Sequence, residues 1–593
     1  LRRELFQLVV LAVGLEISAE AKALARRLDV SLDSDGFVET NCLNPAETAR
    51  PGVFVCGSYR NPMDIPQSVM EASAAASASA ALLSDSRGSL IEQKIYPPER
   101  DVGPEDARIG VFVCHCGLNI GRVVDVPSVR DYAQGLPGVV HAEDNMFSCS
   151  QDTQGAIRDA IQEHKLNRVV VAACTPRTHE RLFQETLREA GLNPYLLEFT
   201  NIRDQDAWVH QAEPEQATLK AKDLVRMSVS RVALCESVDP LTLKVHPDAL
   251  VVGGGVAGMN AALRLAEQGF KVRLVERGDV LGGWTRKIKR TWKQDDVGAY
   301  LTDLSNRVEN HSRIQVVLNA EVQRVSGYVG NFQSTIQVGD ETSEINHGVV
   351  ILAPGATFLR PEDYLYGQSR WVTCWHEMEE YFEAQPERLN QAQAVALIQC
   401  VGSREPERPY CSRVCCTVSV QEALRLKERR PDLEVYILYR DMRTYGQREY
   451  LYREAREQGG VFIRYSPEER PVVEELGPDS RLKVTVKDHV LKTPVSFHVD
   501  HVNLYSAIVP DGQKHLAELY NVPLGDNGFF MEAHAKLRPV DVSNDGVFIC
   551  GAAHYPKPLE EAISQGQAAA TRAAILLGQR EVQVDPLVSE VDQ

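Results

Sequence analysis

The feature that most constrains this fold is a glycine-rich turn between an apolar strand and a helix. Gly253, Gly255 and Gly258 give the spacing G-x-G-x-x-G, and a second apolar strand ends eighteen residues later at Glu276. Such glycines permit a tight turn and a close approach of the backbone to a pyrophosphate, which then faces the helix N-terminus. An acid at the end of the second strand is placed for a ribose hydroxyl. Because all these parts coincide, the sequence predicts a dinucleotide-binding domain.

Further glycines indicate that the dinucleotide is FAD. Gly282 and Gly283 follow the acid, in a turn typical of flavoproteins in which the chain curls over FAD. Further on, an apolar strand leads into a turn at Gly355, and a strand and turn of this kind commonly close the first half of an FAD domain. A last strand leads to Gly551. We therefore predict FAD contacts for these four glycines as well as for the first turn.

The turn after the last strand holds two candidates for the edge of the flavin, Lys557 and His554. A helix predicted over 559–577 begins just after them, and the N-terminus of a helix stabilises negative charge on a reduced flavin. The alternative is that both side chains simply lie at the surface. The sequence assigns no catalytic residue beyond these two candidates.

Four cysteines lie where a second nucleotide-binding domain would carry its own glycine turn. An apolar run over 394–399 leads into the first, and the others precede or begin a helical pattern. Soft thiolates suit an iron–sulfur cluster, with zinc as the alternative. The predicted ligands are Cys400, Cys411, Cys415 and Cys416. Cys415 and Cys416 are adjacent, which leaves open whether both bind the metal or one of them only contacts a ligand.

A second group of cysteines falls within residues 108–210, where strand and helix patterns alternate. The alternation predicts a small parallel α/β domain. In such a sheet ligands gather beyond the carboxyl ends of the strands, so thiols that follow different strands converge without a local Cys-x-x-Cys motif. Buried free cysteines are the alternative. The predicted ligands of this outer cluster are Cys114, Cys116, Cys149 and Cys174.

Two distant segments repeat each other. Residues 51–58 and the Ala/Ser-rich helix pattern after them mirror residues 545–552 and the helix that follows, at an offset of 494. A match at so long a period indicates a duplicated domain. Residues 8–13 then correspond to a strand near 502–508. We therefore read residues 1–85 as the C-terminal part of a first FAD-domain module whose beginning is absent.

The remaining chain divides at changes of pattern. Residues 86–107 are predicted as a linker, 108–210 as the outer cysteine-bearing domain, and 211–245 as a connecting helix and link. The FAD-binding domain comprises 246–390 and 498–580. An insertion at 391–497 resembles a nucleotide-binding domain and carries the inner cysteine group.

Composition limits the class of protein. The chain has 593 residues and a formal net charge of −18, so no basic stripe for nucleic acid is expected. No apolar run reaches the ~18 to 20 residues of a membrane helix, and clustered cysteines suit a reducing compartment. We expect a cytoplasmic protein with no nucleic-acid partner and no membrane span, any contact with a membrane being made through partner subunits.

Several motifs resemble those of the A subunits of heterodisulfide reductases and their relatives in electron-bifurcating or quinone-linked complexes of anaerobes. They are the glycine fingerprint and residues 113–120, 173–180, 399–404 and 410–416. The resemblance implies FAD and two [4Fe-4S] clusters, one in each cysteine group. It also implies the fold class, α/β: a thioredoxin-reductase-like flavoprotein with two dinucleotide domains, preceded by a small parallel α/β iron–sulfur domain.

The chain departs from that family in two ways. Many members carry ferredoxin domains after the Gly-Gly turn and at the C-terminus, but here no cysteine lies between Trp284 and Gly355 or after Cys550. Gly551 is followed by Ala552 where flavoproteins usually have Gly-Asp, so a ribityl contact is expected to be missing. This short form implies partners, namely proteins like the B and C subunits of heterodisulfide reductase and ferredoxin-like, hydrogenase-linked or dehydrogenase-linked subunits.

The leading hypothesis is an electron-transfer subunit of a heterodisulfide-reductase-like complex in anaerobic metabolism. FAD exchanges electrons in pairs and the clusters pass them singly, which electron bifurcation or confurcation requires. One rival is an NAD(P)H-dependent FAD disulfide reductase with a cysteine pair, which contains no inorganic sulfide and is reduced by NAD(P)H alone. The other is a scaffold subunit with vestigial sites, which shows no flavin absorbance.

Overall fold

The structure is a computed structural model that describes residues 5–92, 94–477 and 481–584. The chain divides into two compact units. The first comprises the described residues of Leu1–Arg87 and Leu243–Val582, and the second those of Gly88–Thr242 and Gln583–Gln593. No helix within the described ranges is both long and apolar enough to cross a membrane.

The N-terminal segment contributes two helices to the first unit, α1 (Ala19–Arg27) and α2 (Ile65–Leu82). Each begins after a residue whose side-chain oxygen accepts a hydrogen bond from a backbone N–H group of the first turn. These residues are Ser18 and Asp64. The caps satisfy N–H groups that have no partner inside the helix and so fix where each helix starts.

The second unit is a parallel α/β domain. Its elements are β1 (Ile109–Cys114), α3 (Leu118–Gly121), α4 (Val126–Gln134), β2 (Val139–Asn145), α5 (Gln151–Glu163), β3 (Arg168–Ala173), α6 (Pro176–Glu189), β4 (Leu197–Asn201) and α7 (Pro214–Val232). The strand order is β2-β1-β3-β4. Strands β1 and β3 are buried along their whole length because helices α5 and α6 cover one face of the sheet, and α4 and α7 the other.

Strand β5 spans the boundary between the two units, and the first unit continues from it with the strands and helices around the glycine turn. They are β5 (Leu241–Lys244), β6 (Ala249–Val252), α8 (Val256–Glu267), β7 (Val272–Val275), α9 (Val297–Glu309), β8 (Ile314–Val317), β9 (Ala320–Tyr328), β10 (Asn331–Val338), β11 (Glu341–His347), β12 (Val349–Leu352) and β13 (Ala356–Phe358).

The inner cysteine group lies in the next part of the same unit. The elements there are β14 (Val372–Cys374), α10 (Met378–Ala384), α11 (Pro386–Gln391), β15 (Ala394–Val401), α12 (Cys415–Arg429), β16 (Glu434–Tyr439), α13 (Glu449–Glu457), β17 (Val461–Arg464), β18 (Val472–Glu475), β19 (Leu482–Lys487), β20 (Pro494–Val499) and β21 (His501–Ser506). Five of these strands form a parallel sheet with the order β14-β21-β15-β16-β17.

The end of the chain returns to the sheet that carries the glycine turn. The last elements are β22 (Ile508–Pro510), α14 (Gln513–Tyr520), β23 (Val547–Ile549), α15 (Leu559–Gln579) and β24 (Glu581–Val584). Strand β23 completes a five-stranded parallel sheet with the order β23-β12-β6-β7-β8. Helices α8 and α15 pack on this sheet in one continuous apolar core.

The N-terminal segment has the same local structure as the end of the first unit. Helix α1 corresponds to α14 and α2 to α15 at the repeat offset. Asp29 and Asn521, which follow the shorter helices, both have left-handed backbone. Helix α2 packs directly against α15, and the Thr571 hydroxyl donates a hydrogen bond to the Ser73 carbonyl at 2.8 Å.

Residues 8–13 do not form the strand that the repeat predicts. Their five large apolar side chains are 70–83% exposed. The equivalent strand, β21, is fully buried between β14 and β15. The described part of the N-terminal segment contains no pair of strands to flank residues 8–13, and an apolar run without partners has no ladder to join.

Candidate functional site

The glycine turn after β6 brings the backbone close to the N-terminus of α8. A side-chain carbon at Gly253 would stand 2.1 Å from the carbonyl oxygen of Ala353, and one at Gly258 would stand 1.9 Å from the carbonyl oxygen of Gly253. Neither position admits a larger residue. At Gly255, which caps α8, such an atom would meet nothing within 4 Å. The turn therefore presents a helix N-terminus to open space, as phosphate binding requires.

Glu276 and the second glycine turn complete this edge. The Glu276 carboxylate accepts hydrogen bonds from the backbone N–H groups of Gly254 at 2.5 Å and Gly278 at 2.7 Å. Gly282 and Gly283 have φ angles of +108° and +49°, in the left-handed region that favours glycine. The N–H group of Gly282 donates to the Gly254 carbonyl at 2.9 Å, which joins the two turns.

Two more of the predicted glycines follow neighbouring strands of the same sheet. Gly355 comes after β12 and Gly551 after β23, with φ angles of +80° and +73°. A side-chain carbon at Gly551 would lie 2.8 Å from Cβ of Ala257 in α8. Because carboxyl ends of parallel strands share one edge, the structure gathers all seven glycines there. They are Gly253, Gly255, Gly258, Gly282, Gly283, Gly355 and Gly551.

The two candidates for the flavin edge are buried, so the alternative of surface side chains is wrong. Lys557 and His554 are 7% and 5% exposed. The Lys557 ammonium group bonds to the side-chain oxygen of Gln565 and lies 3.4 Å from His554 Nδ1. Burial lowers the pKa of Lys557 to about 7 and that of His554 to about 4. Lys557 can therefore gain or lose a proton near neutral pH.

The first turn of α15 carries two buried carboxylates that the sequence analysis missed. Glu561 accepts hydrogen bonds from Arg413 at 2.7 and 3.1 Å and from the Tyr445 hydroxyl at 2.8 Å. Glu560 pairs with Arg448. Arg413 belongs to the cysteine-rich loop, so this network fastens that loop to the start of α15. The two adjacent glutamates at the start of the predicted helix were the only signal in the sequence. Their partners Arg413 and Arg448 lie more than a hundred residues away along the chain, so the sequence alone did not reveal the pairing.

The inner cysteine group converges between the end of β15 and the start of α12. Cys400 lies in β15, and Cys415 and Cys416 are the first residues of α12. All three are 2–3% exposed. Burial is the main cause of the raised pKa of Cys400, and the charges of Cys416 and Cys411 add to it. The four predicted ligands therefore share one place in the structure.

The loop that carries these thiols has a strained backbone. Cys400, Arg404 and Arg413 have φ angles of +59°, +58° and +62°, which residues other than glycine rarely adopt. Each such residue costs roughly 1–3 kcal/mol, and such strain gathers at functional sites. The N–H group of Arg413 donates to Cys411 Sγ at 3.3 Å. The shape of the loop thus directs a backbone N–H group toward sulfur.

Two of the inner thiols, Cys400 and Cys415, have a raised pKa in the absence of a metal, whereas a hydrogen bond with Cys415 lowers the pKa of Cys416. Burial raises the pKa of Cys400 to about 11, against the lowering effect of Arg404 and Arg440. The neighbouring Cys416 thiol and burial together raise the pKa of Cys415 well above its usual value. Binding of a metal centre here would release protons, because only thiolates are metal ligands.

The outer group gathers beyond the ends of β1, β2 and β3. Cys114 Sγ accepts hydrogen bonds from the N–H groups of Cys116 at 3.2 Å and Ser148 at 3.3 Å. Cys116, like Cys400, has left-handed backbone, with φ +47°. Burial raises the pKa of Cys174 to about 11, and the other three thiols contribute to the increase. The predicted set brought together here is Cys114, Cys116, Cys149 and Cys174.

Both donor sets consist of thiols alone, which suits an iron–sulfur cluster and also suits zinc. Within the described ranges, no group of three or more His, Cys, Asp or Glu residues is arranged around one metal ion. All-thiol sets with N–H groups donating to sulfur match the known chemistry of such clusters.

Comparisons with known proteins identify the family. A family model described as pyridine nucleotide-disulphide oxidoreductase matches residues 247–391. The A subunit of the H(2):CoB-CoM heterodisulfide,ferredoxin reductase of Methanothermobacter thermautotrophicus is 36% identical over 82% of this chain and 88% of its own length. The chain belongs to the family of heterodisulfide reductase A subunits. A protein of Archaeoglobus profundus that is named as similar to this subunit is 32% identical over 82% of this chain and 89% of its own length.

Membership of the heterodisulfide reductase A-subunit family confirms the predicted resemblance and the prediction of an oxidoreductase subunit. The α/β fold class is confirmed as well, by the parallel sheets and the family model. Among solved structures, thioredoxin reductase of T. acidophilum covers 56% of this chain and 97% of its own, with 16% identity and a TM-score of 0.39.

Proposed function

We propose that this chain is the FAD- and [4Fe-4S]-containing electron-transfer subunit of a heterodisulfide-reductase-like complex. The observation that carries the proposal is the convergence of four thiols at the end of β15, beside a dinucleotide-binding domain. A second nucleotide-binding domain would have its phosphate-binding glycines there. This domain has Cys400 at that place instead, so it suits electron relay rather than NAD(P)H binding.

FAD is proposed to bind at the glycine edge of the first sheet. Gly253, Gly255 and Gly258 would hold the pyrophosphate, and Glu276 the ribose. When bound, FAD supplies two-electron redox chemistry. The second turn and the glycines after β12 and β23 would allow the cofactor to lie close to the backbone.

Lys557 is proposed to hold a proton beside the flavin. Its side chain is buried, and its pKa of about 7 lets it carry charge in one redox state and lose it in another. His554 stays neutral because burial lowers its pKa, and Glu532 orients its ring through a 2.8 Å hydrogen bond to Nε2. Gln565 contacts both side chains and so fixes their spacing.

Two clusters are proposed, which supply one-electron transfer when present. The inner ligands would be Cys400, Cys411, Cys415 and Cys416, and the outer ligands Cys114, Cys116, Cys149 and Cys174. Arg413 would position the inner loop against the first turn of α15 through Glu561, which is 2% exposed. This fixes the loop in its strained shape before a cluster is bound.

Electron bifurcation or confurcation is the finer form of the proposal. Paired electrons at FAD and single electrons at clusters are what such reactions require. Several relatives are named as A subunits of heterodisulfide reductases, and one of these enzymes is named as ferredoxin/F(420)H(2)-dependent. The word subunit in these names supports a multi-subunit complex. The partners proposed are proteins like the B and C subunits of these enzymes and ferredoxin-like, hydrogenase-linked or dehydrogenase-linked subunits.

The test is anaerobic purification with iron, sulfide and flavin measured together with EPR spectra. We expect about eight iron atoms and one FAD per chain, since each cluster holds four irons. Cys411→Ser and Cys415→Ser should each lower the iron content toward about four, whereas Cys374→Ser, at a buried thiol outside both groups, should not.

Three results would contradict the proposal. Fewer than about four iron atoms per chain would contradict the proposed clusters. An EPR spectrum that the serine variants leave unchanged would contradict them as well. Flavin reduction by NAD(P)H alone, without inorganic sulfide, supports a disulfide reductase instead. Protein without flavin absorbance supports a scaffold.

A further inference from the structure

A buried hydroxyl group without a partner lies in the loop that carries the outer thiols. Ser148 precedes Cys149 and is 0% exposed, whereas Cys149 itself is exposed. No hydrogen-bond partner of Ser148 Oγ exists among the residues that the structure describes. A hydroxyl enclosed in this way loses its hydrogen bonds to water, which costs free energy unless another group replaces them. The position therefore requires an acceptor that the described part of the chain does not supply.

The backbone of the same residue already contacts a proposed ligand. The N–H group of Ser148 donates to Cys114 Sγ at 3.3 Å, alongside the N–H group of Cys116 at 3.2 Å. The hydroxyl belongs to the residue that makes this contact, so it lies at the same edge of the sheet as the outer thiols. Sulfur is thus an acceptor present beside this residue, although the thiols alone leave the hydroxyl unpaired within the described ranges.

Nearby polar groups of the protein do not satisfy the hydroxyl. Gln154 Nε2 donates to the Ser148 carbonyl at 2.5 Å, and Gln154 Oε1 accepts a hydrogen bond from the Thr186 hydroxyl. Asn145 Oδ1 is also buried without a partner in the described part of the chain, so these two unpaired atoms do not bond to each other. An amide oxygen cannot donate to sulfur, whereas a hydroxyl can.

Ser150, on the other side of Cys149, shows the opposite arrangement. Its hydroxyl donates to the Thr153 hydroxyl at 3.0 Å and accepts a hydrogen bond from the Thr153 N–H group at 3.4 Å. Ser150 thereby caps helix α5. The fold itself accounts for the hydroxyl of Ser150 but not for that of Ser148.

We propose that the Ser148 hydroxyl donates a hydrogen bond to a sulfur atom of the centre held by the outer thiols and thereby raises its reduction potential. This rests on the proposed outer cluster. One-electron reduction adds negative charge to the centre, so a hydrogen-bond donor stabilises the reduced form more than the oxidised form. The hydroxyl keeps its proton, and no covalent bond is made or broken. Ser148 would thus set the potential of this centre without being a ligand.

The test compares Ser148→Ala with the matched control Ser150→Ala, each in the full chain purified anaerobically. A redox titration followed by EPR gives the midpoint potential of each centre. Cys411→Ser, which is expected to remove the inner centre, shows which signal belongs to the outer one. Electron-nuclear double resonance in H2O and D2O detects the exchangeable protons that couple to the outer centre, and iron content is measured on the same samples.

We expect Ser148→Ala to lower the ratio of reduced to oxidised outer centre at a fixed potential by about threefold to tenfold, as the loss of one hydrogen bond implies. For one electron this is a midpoint potential about 30–60 mV lower. One exchangeable proton coupling should be lost, and the potential of the inner centre should not change. Ser150→Ala should leave both potentials unchanged, although it should lower the melting temperature by removing a helix cap.

An unchanged potential of the outer centre in Ser148→Ala would overturn the proposal and would assign the hydroxyl to a buried water molecule. An equal fall in Ser150→Ala would overturn it as well, because the shift would then reflect a general change in the loop. If Ser148→Ala does not retain the outer iron, Ser148→Thr, which keeps a hydroxyl, replaces it. That variant should keep the wild-type potential and proton coupling, and loss of the coupling would contradict the proposal.

Failure of the proposed cluster would look different. Wild-type protein without iron in the outer group would refute the outer cluster itself. Protein that contains this iron but shows no shift in Ser148→Ala would refute only the role of Ser148.

Discussion

Replacing Lys557 by methionine tests whether the fold holds this lysine neutral. At the repeat offset the N-terminal segment carries Met63, so the turn accommodates methionine. Burial lowers the pKa of Lys557 from 10.5 to about 7. Between these values the unfolded chain binds one proton that the folded chain does not, so the free energy of unfolding rises with pH by about 1.4 kcal/mol per unit. Across the window this amounts to about 5 kcal/mol.

The assay is guanidinium denaturation of nucleotide-free protein at several pH values from about 6 to about 9.5. As the pH falls from about 9.5 to about 7, the unfolding free energy of Lys557→Met should increase relative to that of the wild type. Below pH ~7 the difference should level off, because both states of the wild type are then protonated. Lys514→Met, at an exposed position on α14, should run parallel to the wild type. Parallel curves for Lys557→Met would refute a lysine of lowered pKa.

Three further substitutions test other parts of the site. Gly258→Ala should abolish FAD binding, because the new side-chain carbon would stand 1.9 Å from a carbonyl oxygen of the turn. The measurement is the flavin content of the purified protein. The control Gly578→Ala, whose side-chain carbon would meet nothing within 4 Å, should retain flavin. Arg413→Met should lower the free energy of unfolding by about 3–5 kcal/mol, because it leaves Glu561 buried without its cation. Adding Glu561→Gln should recover most of that loss. If the effects of the two substitutions are fully additive in this double-mutant cycle, the ion pair is contradicted. Burial lowers the pKa of His501 to about 3, so the free energy of unfolding of the wild type should fall by up to about 1.4 kcal/mol per pH unit as the pH drops below about 6.5. Urea denaturation of His501→Gln should show a smaller fall over the same pH range. An equal fall in both proteins would mean that this histidine is already protonated in the fold.

The sequence was sufficient to predict the parts of the fold that rest on local pattern. The turn at Gly253 combines two close backbone contacts with a helix start, and only glycine satisfies both, so its spacing alone predicts the geometry. Parallel order then places Gly355 and Gly551 at the same edge, since carboxyl ends of neighbouring strands coincide. The same argument predicted the convergence of thiols that follow different strands.

The sequence was insufficient where a property depends on distant partners. Lys557 looks like a surface residue because lysines are rarely buried, and its enclosure comes from side chains that only the folded chain brings together. Glu561 is similar, since its cation Arg413 lies 148 positions away. The strand expected at residues 8–13 failed for the same reason, because a strand exists only where another strand offers hydrogen bonds.

The left-handed backbone at Cys116 and Cys400 has a consequence for the descent of this protein. At both positions glycine is the residue that the backbone favours, while only cysteine provides a thiol. Selection for the proposed cluster ligands would therefore have to outweigh the backbone preference for glycine at these positions. In a lineage without the proposed clusters, only the preference for glycine would remain. Glycine at either position would then record the loss, as a mark readable in the sequence of a relative long after the chemistry had gone.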